Sequence, residues 1–174
     1  MRYTSHMYHR ALNWLNSHRV MVGRALVGIG GLLIVVTAVG VLRSQPHTTI
    51  RIGDGVFQAK LAVTDEQKAK GLSGTRHLAR HEAMLFIYEE DSMDRICMKD
   101  MSFPIDVAWL DRQKRVVHIE KELQPEDYPA MFGPKNPFRY VIEFSAGTVE
   151  RYSISVGSEA HFDLADISAK EGGA

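Results

Sequence analysis

The stretch "IDVAWLDRQKRVVHIEKEL", from Ile105 to Leu123, decides how the rest of the chain is read. Ile105, Val107 and Trp109 recur with period two, so a strand through them turns all three side chains to one face. The polar "RQK" of Arg112 to Lys114 then turns the chain, and "RVVHIEKEL" resumes the strand pattern as the returning arm of a hairpin.

Working outward, Ser102 to Pro104 reads as a break, and Ile96 to Asp100 before it reads as strand-like. "AMLFIYEE", Ala83 to Glu90, is an apolar run rich in strand formers, and "VFQAKLAV", Val56 to Val63, alternates well enough for another strand. "TDEQKAKGL" between them carries a helix signature. Thr64 is the N-cap, Gln67 its capping-box partner, Asp65 and Glu66 fill the first turn, and Gly71 ends the helix. His47 to Gly53 is a linker grading into a first strand.

Downstream, Gln124 to Phe138 contains Pro125, Pro129, Gly133, Pro134 and Pro137, which predicts a long surface loop. "RYVIEFSAG" resumes as a strand, "TVERYSI" predicts one helical turn, and "VGSEAHFDL" closes the domain before the frayed tail "SAKEGGA". Many short strands with one or two short helices predict a mainly β sandwich or barrel.

The amino-terminal part is a different object. Five of the 21 basic residues, Arg2, Arg10, Arg19, Arg24 and Arg43, precede Ser44, while none of the 21 acidic residues does, so the chain from Ser44 onward carries a net charge of about −5. "ALVGIGGLLIVVTAVGVL", residues 25–42, has no charge and one polar side chain, Thr37. As a helix it spans roughly 27 Å, close to the hydrocarbon thickness of a bilayer. Gly28, Gly30, Gly31 and Gly40 would weaken a soluble helix but suit a membrane one. The arginine excess before the segment predicts a cytoplasmic amino terminus and an exported remainder. The segment is longer than a signal-peptide core and offers only Ala38-Val39-Gly40 as a cleavage site, so an uncleaved anchor is expected.

These readings divide the chain into a cytoplasmic basic arm (1–24), a transmembrane signal anchor (25–42), a linker (43–52), an extracytoplasmic β domain (53–165) and a flexible tail (166–174). The expected location is the cytoplasmic (inner) membrane, single-pass, with the domain in the periplasm or at the cell exterior. Trp14 and Leu15, amid arginines and histidines, fit a membrane-surface segment. The single cysteine, Cys97, rules out an intramolecular disulfide, so the domain must rely on its core.

Four stretches together resemble the domain-of-unknown-function 192 family, an uncharacterised family of bacteria and archaea. "KGLSGTRHL" matches at Gly71, Leu72 and Arg76; "EAMLFIY" at Met84, Leu85 and Phe86; "CMKDMSFPIDVAWLD" at Met98, Lys99, Pro104, Asp106, Leu110 and Asp111; and "RYVIEFSAGTVERYSISVG" at Glu143, Ala146, Gly147 and Gly157. The resemblance runs from about Phe57 to Phe162. It implies a jelly-roll-like sandwich, often exported behind a signal peptide or anchor, and brings no established activity. The chain departs from the pattern where Cys97 replaces a tryptophan, Asp100-Met101 an Asn-Thr pair, and Ser73 a methionine.

The ligand-binding candidates are Arg76, Lys99, Asp100, Asp106 and Glu143. Lys99 is expected on a strand, either in a structural ion pair with Asp100, Asp106 or Glu143, or facing a cleft that takes an anionic or polyol ligand. Arg76 caps a helix end or clamps a carboxylate. Asp106 bonds turn amides, or joins Glu143 in acid and base chemistry. Cys97 reads as a small buried hydrophobe more readily than as a nucleophile, because no base adjoins it in sequence.

A soft-metal alternative draws on the soft ligands Met93, Cys97, Met98 and Met101; Cys97 and Met98 would alternate faces on a strand, so not all four can converge, and the copper(I) candidates are Met93, Cys97 and Met101. His77 and His81 lack a zinc-protease pattern. No glycine-rich phosphate loop, serine elbow or basic aromatic stripe is present in the sequence, and with the negative charge this argues against nucleotide and nucleic-acid functions.

The expected function is therefore a ligand-binding or envelope-accessory module with no cofactor. Its expected partners are the lipid bilayer, through residues 25–42, and a small polar or anionic ligand or an envelope protein. The alternatives are a small envelope hydrolase or carbohydrate-active enzyme using a carboxylate pair, and a copper-handling protein.

Overall fold

The computed structural model describes residues 47–164 of the 174-residue chain. The expected basic arm, the transmembrane segment, residues 43–46 of the linker and the whole of the tail lie outside the described residues. Among the described residues no helix is long and apolar enough to cross a membrane.

The elements are β1 (His47–Ile52), β2 (Gly55–Ala62), α1 (Asp65–Lys70), β3 (Glu82–Ser92), β4 (Ile105–Leu110), β5 (Val116–Leu123), a 3-10 turn (Pro125–Asp127), β6 (Phe138–Ser145) and α2 (Thr148–Arg151). The strands form one six-stranded open sheet in the order β1-β2-β3-β6-β4-β5. Every neighbouring pair is antiparallel except β2 and β3. Parallel strands need a crossover, and the connection carrying α1 supplies it.

The capping box of α1 forms as the sequence specifies. The Gln67 amide donates to Thr64 Oγ1 at 3.2 Å and the Thr64 amide donates to Gln67 Oε1 at 3.0 Å. Gly71 ends the helix at φ 48°, a left-handed conformation that glycine adopts without steric cost.

All six residues of β4 are buried, because both faces of the sheet are covered. Ala108 and Leu110 join Ile50, Phe57, Leu85 and Phe144 on one face. Ile105, Val107 and Trp109 join Leu72, Phe86 and Val141 on the other. The hairpin of β4 and β5 and the shared face of Ile105, Val107 and Trp109 are as expected.

A carboxy-terminal strap brings the two edges of the sheet together. His161 and Arg51 of β1 exchange backbone hydrogen bonds at 2.8 and 2.9 Å. The Ala160 amide donates to the Lys114 carbonyl and the Val116 amide to the Ser158 carbonyl, each at 2.9 Å. One extended segment bonding both edges requires them to lie within about two strand spacings, roughly 10 Å, so the sheet is strongly curled. The ladder itself is that of a single open sheet; alternation shows that a strand has two faces but not how many sheets the strands form.

Two local expectations are corrected. His47 to Gly53, read as a linker grading into a first strand, is strand already from His47 to Ile52, and each of those residues pairs with β2. Its polar Thr48 and Thr49 disguised an edge strand. Ile96 to Asp100, expected as a strand, makes only an isolated bridge between Ile96 and Phe132 and then turns, with Asp100 at φ 56°. Five residues are too few for periodicity to separate a strand from a turn. Asp and Asn tolerate this left-handed conformation better than other non-glycine residues, which accounts for Asp100 where the family pattern has asparagine.

Candidate functional site

Glu143 lies in the middle of the sheet, paired with Met84 of β3 on one side and Val107 of β4 on the other. Its side chain therefore emerges on the face that carries Phe86, Ile105 and Trp109. It is 6% exposed, and its Oε2 is sealed from solvent with no hydrogen-bond partner among the described residues. Burial pushes its pKa up to about 8. The charged form loses hydration that nothing replaces, so at neutral pH the carboxyl holds its proton and is a hydrogen-bond donor.

A cleft of about 520 Å³ opens above this carboxyl. Leu72, Phe86, Ile105 and Met101 give it apolar walls. Tyr88, two residues beyond Phe86 on the same face, packs edge-on against Phe138 at 5.2 Å. Lys68 reaches over from α1, its Nζ 4.8 Å from the Tyr88 ring centroid and 3.1 Å from Asp65. Burial, reinforced by the charges of Asp94, Glu143 and Asp65, pushes the Tyr88 phenol up to about 12, so it remains a neutral donor.

Backbone bonds fix the upper walls. Ser73 Oγ donates to the Lys99 carbonyl at 2.8 Å, and the Gly74 amide donates to the Asp100 carbonyl at 2.9 Å, joining the turn after α1 to the Met98–Met101 turn. Ile96 and Phe132 exchange bonds at 3.0 and 2.8 Å, attaching the proline-rich loop to the same wall. Lys68, Lys70, Arg95 and Lys99 line the cleft against only Asp65 and Asp94 besides Glu143. Its charge is therefore positive, although the chain from Ser44 onward is negative as a whole.

The candidates from the sequence separate. Glu143 is at the base of the cleft and Lys99 is an exposed side chain lining it, on a turn rather than on the strand expected. Lys99 makes no ion pair among those of the described residues. Asp100 and Arg76 are exposed and line no part of this cleft.

Asp106 is wholly buried on the opposite face. Its Oδ1 accepts from the Glu122 amide at 2.9 Å and its Oδ2 from the Val149 amide at 2.8 Å. It pins β5 and the start of α2 to β4. The proposed carboxylate pair therefore does not form: Val107, not Asp106, is the β4 residue beside Glu143, and neighbouring residues on a strand point to opposite faces.

Of the soft-metal candidates, Cys97 and Met101 line the cleft, whereas Met93 does not and is 53% exposed. Among the described residues no group of three or more His, Cys, Asp or Glu side chains is placed to hold a metal ion.

Sequence reasoning missed Tyr88, Lys68 and Met131, all of which line the cleft. Period-two spacing from Met84 and Phe86 could have found Tyr88. Nothing local signals that α1 brings Lys68 to it, or that the proline-rich loop brings Met131. A second cleft, about 690 Å³, lies between β1 and the strap, lined by Thr49, Gln58 and Lys114 among others. It is larger, but neither of the sealed, unpartnered polar atoms found among the described residues, Trp109 Nε1 and Glu143 Oε2, belongs to its lining.

Comparison with known proteins bears on the family and the fold. Residues 48–162 match the model of the DUF192 family, described as "Uncharacterized ACR". No curated protein matches the chain. A crystal structure from Sinorhizobium meliloti 1021, of a protein proposed as a transcription regulator, is similar at a TM-score of 0.65 and 26% identity, covering 68% of this chain and 95% of that one. A protein of unknown function from Novosphingobium aromaticivorans DSM 12444 is similar at a TM-score of 0.61 and 26% identity, covering 66% and 83%. The family match runs from the first strand through the strap, and on that span the chain belongs to the DUF192 family.

Proposed function

We propose that this protein is a membrane-anchored ligand-binding module whose site is the cleft above Glu143. The observation that carries the reading is a buried carboxyl, Glu143, that lines an open cleft and has no hydrogen-bond partner among the described residues. Leaving a buried polar group unsatisfied costs about 1–3 kcal/mol, and such a group is accounted for when a ligand completes its hydrogen bonding. The cleft volume is in the range of small-molecule sites, and its lining combines apolar walls with charged side chains that could orient a ligand.

The apolar segment 25–42 and its arginine flank support an inner-membrane anchor that holds the domain outside the cytoplasm. The strap bonding both sheet edges supports reading the curled sheet as a jelly-roll-like barrel. A transcription regulator, the role proposed for the Sinorhizobium meliloti protein, is disfavoured here if it requires contact with DNA, because the chain beyond Ser44 is negative.

The test is a small-molecule screen by thermal shift on the full-length protein in detergent, wild type against Glu143→Leu. At least one compound should stabilise the wild type and not the variant, which itself should be folded because leucine suits that face. Compounds that stabilise both equally, or none that stabilises either, would contradict the proposal.

A further inference from the structure

Resting on the ligand-binding reading, the geometry points to the class of ligand: we infer that the cleft takes a small organic monoanion with an apolar body and an uncharged carbonyl or hydroxyl at its far end, the pattern of an N-acylated amino acid. Three features of its lining specify the three parts.

The first is the charged lining. Lys70, Arg95 and Lys99 line the cleft, and none of the ion pairs among the described residues engages them. Lys68, by contrast, is committed to Asp65 and to the Tyr88 ring. Uncommitted cations on the lining attract an anion and repel an amine or a metal cation. This disfavours copper(I) on Cys97 and Met101, whose thiolate and thioether would have to hold a cation beside them.

The second is the wall. Leu72, Phe86, Ile105 and Met101 add apolar surface to the same lining, which an inorganic anion or a free sugar would leave unfilled.

The third is the base. The Glu143 carboxyl lines the cleft without a partner among the described residues, and it carries a proton to donate. A ligand carboxylate placed against it would lose its hydration in a buried site, while the lining lysines are exposed, at a cost that one hydrogen bond from a neutral acid does not offset. A neutral acceptor accepts that proton without such a cost. The anionic end therefore sits outward and the carbonyl or hydroxyl inward.

The experiment uses the full-length protein in nanodiscs of zwitterionic lipid, with binding read by ligand-detected NMR. The probes are N-acetylleucine, which has all three parts; N-acetylleucinamide, which lacks the charge; 4-methylpentanoate, which lacks the inner carbonyl; and leucinamide, a cation. N-acetylleucine should bind most tightly, and loss of either the charge or the carbonyl should weaken binding about tenfold, the scale of one charge-assisted or buried hydrogen bond.

The double variant Lys70→Ala, Lys99→Ala should remove the preference for N-acetylleucine over its amide. Glu143→Gln, whose amide can still donate, should retain the preference for the carbonyl, and Glu143→Leu should lose it. Preference for leucinamide or the uncharged amide, still abolished by Glu143→Leu, would overturn the anion assignment while leaving the cleft a binding site. Absence of binding by all four probes would overturn the assignment too, and the compound screen above would then decide separately whether the cleft binds anything.

Discussion

Two buried carboxyls occupy adjacent strands of the same sheet and have opposite fates. Asp106 is wholly buried, yet both of its oxygens accept backbone N–H groups at 2.9 and 2.8 Å. Glu143 is 6% exposed and has an oxygen with no partner among the described residues. One sheet face is closed and hydrogen-bonded, and the other leaves a polar group waiting beneath a cleft. Burial alone does not mark a functional acid. What marks it is burial that the protein's own groups leave unsatisfied.

The comparison breaks first at Asp106. Asp106→Leu leaves two amides without acceptors, at about 1–3 kcal/mol each, so a stability loss of about 3–5 kcal/mol is expected in urea unfolding. A loss under about 1 kcal/mol would mean that those amides find other partners readily, and the contrast with Glu143 would fail.

Glu143 should behave in the opposite sense. Its folded pKa, about 8, lies above the ordinary 4.5, so between those values the folded state binds a proton that the unfolded state has released. Stability therefore falls as pH rises from the lower value to the higher, by about 1.4 kcal/mol for each pH unit between them. Glu143→Gln removes this penalty. The variant should gain about 2–5 kcal/mol relative to wild type on going from pH 5 to pH 9.

A smaller effect separates the turn that supports the cleft from its lining. Asp100 sits at φ 56°, so Asp100→Val should cost about 1–2 kcal/mol, while Asp100→Gly should cost little or stabilise. Equal melting temperatures for the two variants would show that the turn is not held left-handed. Lys99→Ala, at an exposed side chain, should change stability by no more than about 0.5 kcal/mol while weakening capture of an anion. A large stability loss there would return Lys99 to the structural ion-pair role that its strand-like context in the sequence suggested.

The sequence made some of this architecture legible and hid the rest for definite reasons. Thr64, Gln67 and Gly71 specify α1 through bonds within a few residues, and such signals survive without tertiary information. The β4–β5 hairpin was equally local. The sheet order was not, because β6 inserts between β3 and β4 through contacts distant in sequence.

Glu143 and Asp106 could both be singled out from the motifs, but their separation onto opposite faces depends on the register that pairs Glu143 with Val107. Cys97, the most conspicuous residue to a reader of the sequence, proves to be one half-buried wall residue among several. Lys68 and Met131 enter the cleft from elements whose docking no local pattern encodes.

The central claim is that Glu143 is buried without a partner supplied by the protein. The most direct measurement is the unfolding free energy of full-length wild type and Glu143→Gln, in the same detergent, from about pH 5 to pH 9. The account predicts that the two curves lie close at the acid end and diverge as pH rises, with the variant the more stable. Parallel curves, or a wild type that overtakes the variant at high pH, would show that the Glu143 charge is already compensated within the fold and would contradict the account.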